Sequence, residues 1–279
     1  MPVTTVGFIG LGDQGAPIAQ RILAAGWPLR VWARRSASVA PLVAAGAVVA
    51  GSPAELGAAC DLVGVCVSTD DDVREVVLRD GDGVLSGMAK GGVIAVHSTV
   101  SPDTVRELHR EARQRDVALL DAPVSGGSGG ARAGTLTVMV GGDAEPVTVA
   151  RPVFDTFAGT VAHLGPVGAG QEMKLLNNNL CYANVAMGVS AMEIAERLGM
   201  DLAEVAAIIK RSSGASTGFS IVTEQALLQK ASGPTSNIRK DVGHFHEILK
   251  RHGLDDEPLA AVAATTAGRV SAYAEHVSR

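Results

Sequence analysis

The chain has 279 residues, a net charge of −5 and a pI near 5.8, with 47% apolar but only 3% aromatic side chains. That length allows one large or two ordinary domains with a core built on Val, Leu, Ile and Ala. The composition holds no dense Lys/Arg block, so nucleic acid is not expected as a partner; no apolar run nears the roughly 18 residues of a membrane span.

Residues 3–9 read as an apolar strand, followed at once by the turn Gly10, Leu11, Gly12, Asp13, Gln14, Gly15 and a helix over Ala16–Ala25. A G-x-G-x-x-G run is informative only between a strand and a helix, which is where it falls here. Gly10 permits the tight turn, Gly12 lets a pyrophosphate approach, and Gly15 lets helix pack on strand. The helix N-terminus then offers N–H groups to the anion. The next strand, Leu29–Ala33, ends in Arg34, Arg35 and Ser36, where a NAD-preferring site would carry Asp or Glu. Two guanidiniums and a hydroxyl suit a 2′-phosphate, so NADP(H) is the expected cofactor, with NAD(H) possible.

Strand and helix continue to alternate. Gly46–Ala50 is a short strand, and Ser52 with Glu55 forms a capping box for the next helix. Leu62–Val67 is a strand ended by Ser68–Asp72, a capping stretch. Gly92–Val96 leads into His97, Ser98 and Thr99, then a helix over 103–115 with Pro102 in its first turn. Val117–Leu120 is the next strand. The alternation predicts a doubly wound, mostly parallel sheet, an α/β Rossmann architecture, with ligands beyond the carboxyl ends of its strands. A second glycine cluster, from Ser125, Gly126 and Gly127 to Gly134, precedes a strand over Thr135–Val140. Its bare N–H groups form an anion nest suited to a small carboxylate.

From Gln171 onward the pattern is helical: 171–198, Leu202–Arg211, Thr217–Gln229, Ile238–His252 and Pro258 to the end. Asp201 is an N-cap, and Ala183, Ala186, Gly188 and Ala191 permit close packing of the long helix. Gln171, Lys174 and Asn178 share one face of it. A lysine and an amide one turn apart, after the glycines at 165, 168 and 170, can meet one ligand. The cysteines, Cys60, Cys66 and Cys181, are odd in number and lack C-x-x-C spacing, so neither a disulfide framework nor a metal site is expected. His244 and His246 point in different directions on a helix and make a poor metal pair. A reducing cytoplasm is the expected setting, and the first residues carry no leader pattern.

Four stretches stand in one order: Gly-Phe-Ile-Gly-Leu-Gly-Asp-Gln-Gly from Gly7, Asp-Ala-Pro-Val-Ser-Gly-Gly from Asp121, Gly-Ala-Gly-Gln-Glu-Met-Lys-Leu-Leu-Asn-Asn from Gly168, and Lys-Asp-Val-Gly from Lys240. Together they resemble the β-hydroxyacid dehydrogenase family over nearly the whole chain. The resemblance implies a Rossmann domain over 1–165 and an all-helical substrate and dimerisation domain over 166–279, joined by a long helix. It implies that Lys174 is the catalytic acid/base, that Asn178 holds the substrate, and that Ser125, Gly126 and Gly127 bind its carboxylate. Val67, Ser68, Asp72, Thr99 and Lys240 match cofactor-contact positions. A homodimer or homotetramer acting on a small 3-hydroxy acid or semialdehyde is implied. An imine reductase on the same architecture is the alternative that Lys174 and Ser125-Gly126-Gly127 argue against. A non-catalytic nucleotide reader would not need both Lys174 and Asn178. The chain departs from the family in carrying Gln14 where Met is usual, in Asp13 beside the pyrophosphate turn, and in the absence of aromatics before Lys240.

Overall fold

In a computed structural model, residues 3–233 and 237–277 are described. Part of the aromatic-free stretch before Lys240, residues 234–236, lies outside them. The chain divides into two compact units, Met1–Lys174 and Leu175–Arg279.

Unit 1 is built on a nine-stranded sheet. Its strands are β1 (Val6–Ile9), β2 (Leu29–Trp32), β3 (Val48–Val49), β4 (Leu62–Val65), β5 (Val93–Val96), β6 (Ala118–Asp121), β7 (Val124–Ser125), β8 (Leu136–Gly141) and β9 (Ala158–Gly165). The spatial order is β3-β2-β1-β4-β5-β6-β8-β7, with β9 also on β8. β1 to β6 are parallel where they pair, whereas β8 runs antiparallel to β6 and β7. Helices cover both faces, so the central strands are apolar at every position rather than alternating. Phe8, Ala95 and Leu120 pack on one side with Ile18, Ile22 and Phe154. Ile9, Val63, Ile94, Val96 and Leu119 pack on the other with Leu56 and Leu108. The chain order reverses at β1, which lies between β2 and β4. That switch point is where an open α/β sheet leaves a crevice at its carboxyl edge.

Local signals set the helices. Thr69, rather than Ser68 or an Asp, caps the helix Asp70–Leu78: its Oγ1 accepts from Asp72 N at 3.0 Å while Asp72 Oδ2 accepts from Thr69 N at 3.3 Å. Ser52 accepts from Glu55 N at 3.1 Å, but the Glu55 carboxylate reaches back to Gly51 N instead of Ser52 N. The second glycine cluster is not an open loop. Gly126, at φ +124°, caps a short helix, Gly127–Ala133. Its small residues let it lie close on β8, where a Cβ on Gly130 would sit 3.1 Å from Leu136 Cδ2.

The helix Ala169–Arg197 contributes its residues up to Lys174 to unit 1 and the rest to unit 2. Unit 2 adds Leu202–Lys210, Thr217–Thr223, Gln225–Ser232, Ile238–His252 and Pro258–Val277. The single helix expected over Thr217–Gln229 is broken at Glu224, which is extended (φ −116°, ψ 113°) and pairs with Lys210 at 3.1 Å. Val185, Val189, Phe219, Val222 and Val270 form the core of this unit. Gly218 brings two helices together, since a Cβ there would lie 2.7 Å from the Cys181 carbonyl oxygen. No described helix is long and apolar enough to cross a membrane.

His97 is one of several polar residues buried in unit 1. His97 is stacked on Phe8, meets Phe154 and Phe157 edge-on, and donates from Nδ1 to Ala122 O at 2.8 Å. Burial lowers its pKa from 6.5 to about 4. The unfolded chain therefore takes up a proton below 6.5 that the folded chain refuses until about 4. Stability falls as pH drops through that window, by about 2 kcal/mol between pH 7 and pH 5. Guanidinium unfolding at the two pH values should show this loss, and His97→Gln should have a flatter pH response. Equal slopes for both proteins would refute the assignment.

Candidate active site

The crevice at the switch point is a cleft of about 710 Å³, lined from the ends of β1, β2 and β4. Gly10, Leu11 and Gly12 form its floor, followed by the helix Gly15–Ala24. Gly10 has φ +93°, and a Cβ on it would fall 2.1 Å from the Cys66 carbonyl oxygen. A Cβ on Gly15 would fall 1.8 Å from Gly10 O. Both glycines are therefore demanded by the turn itself. A Cβ on Gly12 would meet nothing within 4 Å, so the fold alone gives no reason for glycine there. The helix carries no side-chain cap and no acid in its first turn, which leaves its N–H dipoles for an anion. Asp13 is exposed, and Gln14 Nε2 is buried with no hydrogen-bond partner in the structure. An open glycine, a bare helix N-terminus and an orphaned amide donor together fit a pyrophosphate.

Arg34, Arg35, Val67, Ser68 and Asp72 line the same cleft. Asp72 binds Arg34 Nη1 at 2.9 Å and also completes the Thr69 capping box. Arg34 is thereby tethered beside the cleft, although a pair this exposed is worth at most about 1 kcal/mol. Ser36 begins a short 3₁₀ turn and is exposed, and Ser38 lines the cleft. Trp32, Glu75 and Arg79 are further lining residues that the sequence reading missed. Glu75 and Arg79 are four apart, bonded at 3.0 Å, and so share a helical face. That spacing was a usable signal. Burial pushes the Cys66 thiol up to about 12.

At the other strand ends, Ser98 Oγ accepts from Val67 N at 2.8 Å and ties the loops after β4 and β5 together. Thr99 follows it, half-buried and outside the cleft lining. Gln171 donates to Ser98 O at 2.9 Å and accepts from Val100 N at 3.1 Å. Asp121, at the end of β6, accepts from Gly168 N and Gln171 N, each at 2.8 Å. Burial raises its pKa above the usual carboxylate range, against the pull of those backbone donors. These contacts fix the helical turn that carries Lys174, which is itself only 8% exposed. Ser125 is half-buried, with Gly126 and Gly127 exposed after it.

In unit 2, Asn178 donates from Nδ2 to Asp241 Oδ2 at 2.8 Å, and Tyr182 donates to the same oxygen at 2.8 Å. Lys240 Nζ lies 3.8 Å from Asp241 Oδ1. The sequence reading did not single out Tyr182. Among the described residues no group of three or more His, Cys, Asp or Glu could hold a metal ion.

A switch-point cleft with an open glycine, followed by a helical unit, is the architecture of a two-domain dinucleotide-binding protein. Residues 5–165 match the NAD binding domain of 6-phosphogluconate dehydrogenase, and residues 168–276 match the NAD-binding region of NADP-dependent 3-hydroxyisobutyrate dehydrogenase. The NAD-dependent L-serine dehydrogenase of Pseudomonas aeruginosa is 41% identical over 94% of this chain and 87% of its own. Among solved structures, a Mycobacterium tuberculosis 3-hydroxyisobutyrate dehydrogenase with L-serine matches with a TM-score of 0.81 and 28% identity, covering 100% of both chains. Psf3 in complex with NADP+ and 2-OPP matches with a TM-score of 0.85 and 28% identity over 98% of this chain and 100% of that one. The chain belongs to the β-hydroxyacid dehydrogenase family and is an NAD(P)-dependent oxidoreductase.

The two glycines separate binding from folding. Gly12→Ala should leave stability within about 0.5 kcal/mol, the range of a surface change, while weakening NADPH binding measured by fluorescence titration. Gly10→Ala should lose at least about 1–3 kcal/mol through its backbone conformation alone. Unaltered NADPH affinity in Gly12→Ala would place the pyrophosphate elsewhere.

Proposed function

We propose that this protein is an NADP(H)-preferring dehydrogenase or reductase of small 3-hydroxy acids and their aldehydes, with Lys174 as the acid/base. The observation that carries the reading is the anchoring of Lys174. It is buried on a helical turn pinned to the ends of β5 and β6 through Gln171 and Asp121. Those ends share the carboxyl edge with the Gly10–Gly12 turn, because β1, β4, β5 and β6 are parallel. When bound, the nicotinamide supplies or accepts the hydride. Lys174 gives a proton to the carbonyl oxygen in reduction and takes the hydroxyl proton in oxidation. Asn178 hydrogen-bonds the substrate, and the Ser125-Gly126-Gly127 N–H groups hold its carboxylate. Gly10 to Gly15, Arg34, Arg35, Ser36, Val67, Ser68, Asp72, Thr99 and Lys240 are assigned to the cofactor. The proposed domain boundary is 165/166, nine residues before the division between the compact units at Lys174/Leu175. An imine substrate would need neither a carboxylate nest nor Lys174.

The relatives' names span both nucleotides, and both substrate names, L-serine and 3-hydroxyisobutyrate, belong to 3-hydroxy acids. The preference for NADP(H) rests on Arg34 and Arg35 in the cleft lining and on the lack of an acid at the end of β2. The proposed active unit is at least a dimer: Leu176, Leu180, Met187 and Ile194 are exposed at spacings that form one stripe along a helix.

Replacing both Arg34 and Arg35 by Ala should raise the KM for NADPH far more than that for NADH, since each charged contact to a phosphate is worth about 1.5–3 kcal/mol. Equal effects on the two cofactors would end the NADP assignment.

Lys174→Ala should lower turnover by roughly 10²–10⁴-fold, the usual contribution of general acid–base catalysis, with little change in NADPH binding. Lys174→Arg should not restore it, because a guanidinium does not give up its proton. Near-normal turnover on L-serine or 3-hydroxyisobutyrate in either variant would remove Lys174 from the chemistry.

A further inference from the structure

A carboxamide has a donor end and an acceptor end that differ by one rotation about its last bond. Which end a ligand meets depends on what holds the other. In unit 2 Asn178 Nδ2 points at Asp241 Oδ2, 2.8 Å away. An ionised carboxylate only accepts, so it selects the NH₂ end. Tyr182 donates its hydroxyl to the same oxygen at 2.8 Å. Burial, then the charge of Asp241, raises the Tyr182 pKa, so it remains a phenol and a donor. Asp241 is 1% exposed and sits on the helix Ile238–His252, against the helix that carries Asn178 and Tyr182. A second amide ties the same pair of helices, because Asn179 Nδ2 donates to Leu175 O at 2.8 Å and lies 3.5 Å from Asp241 O. The Asn178 Oδ1, turned away from Asp241, accepts a 3.4 Å contact from Asn177 Nδ2. That distance is near the limit for a hydrogen bond and leaves lone-pair capacity for a ligand.

We propose that Asp241 and Tyr182 are positioning residues that lock the Asn178 carboxamide with its oxygen outward, so that Asn178 meets the substrate as the acceptor of a donor group beside the reacting hydroxyl, whose own proton goes to Lys174. The inference rests on the reading of Asn178 as a substrate contact. It makes the site select for a donor group on the carbon next to the reacting one, such as the ammonium of a serine-like 3-hydroxy acid. A ligand with acceptors alone at that point would face oxygen against oxygen.

The test uses the full chain with NADP+ and two probes, L-serine and 3-hydroxyisobutyrate, together with NADPH affinity and Tm. Asn178→Ala should lower kcat/KM for whichever probe turns over. Asp241→Asn frees the amide to flip and should lower kcat/KM by roughly ten- to hundredfold, the effect of one buried polar group losing its partner. The swap Asn178→Asp with Asp241→Asn reverses the donor and the acceptor of the lock while again turning an oxygen outward. It should recover at least about tenfold over Asp241→Asn alone, by the same energetics. Should Asp241→Asn fail to fold, Tyr182→Phe keeps the ring and removes one donor; its kcat/KM should fall about three- to tenfold. Wild-type kcat/KM in folded Asp241→Asn, or no recovery in a folded swap, overturns the lock while leaving Asn178 as a contact. An unaffected Asn178→Ala overturns both.

Discussion

Asp121 is the residue on which the geometry of unit 1 turns. It ends β6 and is fully buried, and its two carboxylate oxygens accept from Gly168 N and Gln171 N at the start of a 29-residue helix. An N-terminal helical turn has four N–H groups without intrahelical partners, and a buried end must find acceptors for them. Usually the cap comes from the residue just before the helix. Here it comes from a strand 47 residues earlier, so capping the helix also docks it onto the sheet. Close approach follows: a Cβ on Gly170 would lie 2.4 Å from Met139 O. Gln171 adds two more main-chain contacts to the loop after β5. Lys174 comes one turn later, with its backbone position set by these hydrogen bonds rather than by a flexible loop.

The switch-point cleft follows a different rule, that of charge balance. Arg34, Arg35 and Arg79 face Asp72 and Glu75 around one lining. Each acid acts locally, since Asp72 caps a helix and holds Arg34, and Glu75 holds Arg79. Pairing keeps long side chains near the cleft without neutralising the site by more than solvent already does. A phosphate, with two negative charges and planar-matched oxygens, competes well for a guanidinium held this loosely. A ribose hydroxyl competes less well, which is the physical basis of the proposed NADP(H) preference.

Much of this was legible in the sequence because the signals were local. The strand–glycine–helix order marked β1 and its turn, and apolar runs marked β4 and β5 because both faces of those strands are buried. Pro102, Ser52 and Asp201 marked helix starts correctly. The illegible parts were those set by tertiary contacts. β9 exposes half of its residues and gives no apolar alternation, so nothing announced it. Gly127–Ala133 is helical despite its glycines, because it packs on β8. The break at Glu224 carries neither Gly nor Pro. The long-range acceptor role of Asp121 and the Tyr182–Asp241 bond had no sequence periodicity to betray them.

Asp121 and Asp241 show one device used at two levels. Both are buried acids, and both act by being able only to accept. Asp121 collects main-chain donors, whose positions are already fixed by the helix, so its effect is on where the helix starts. Asp241 collects side-chain donors, Asn178 and Tyr182, whose orientations are otherwise free, so its effect is on which atom each presents. The first sets position and the second sets polarity. Replacing a carboxylate by its amide keeps volume in either place but adds a donor. At Asp121 that donor would oppose a backbone N–H that cannot turn away. At Asp241 it would meet a carboxamide that can, so the second site can be inverted by exchange whereas the first cannot.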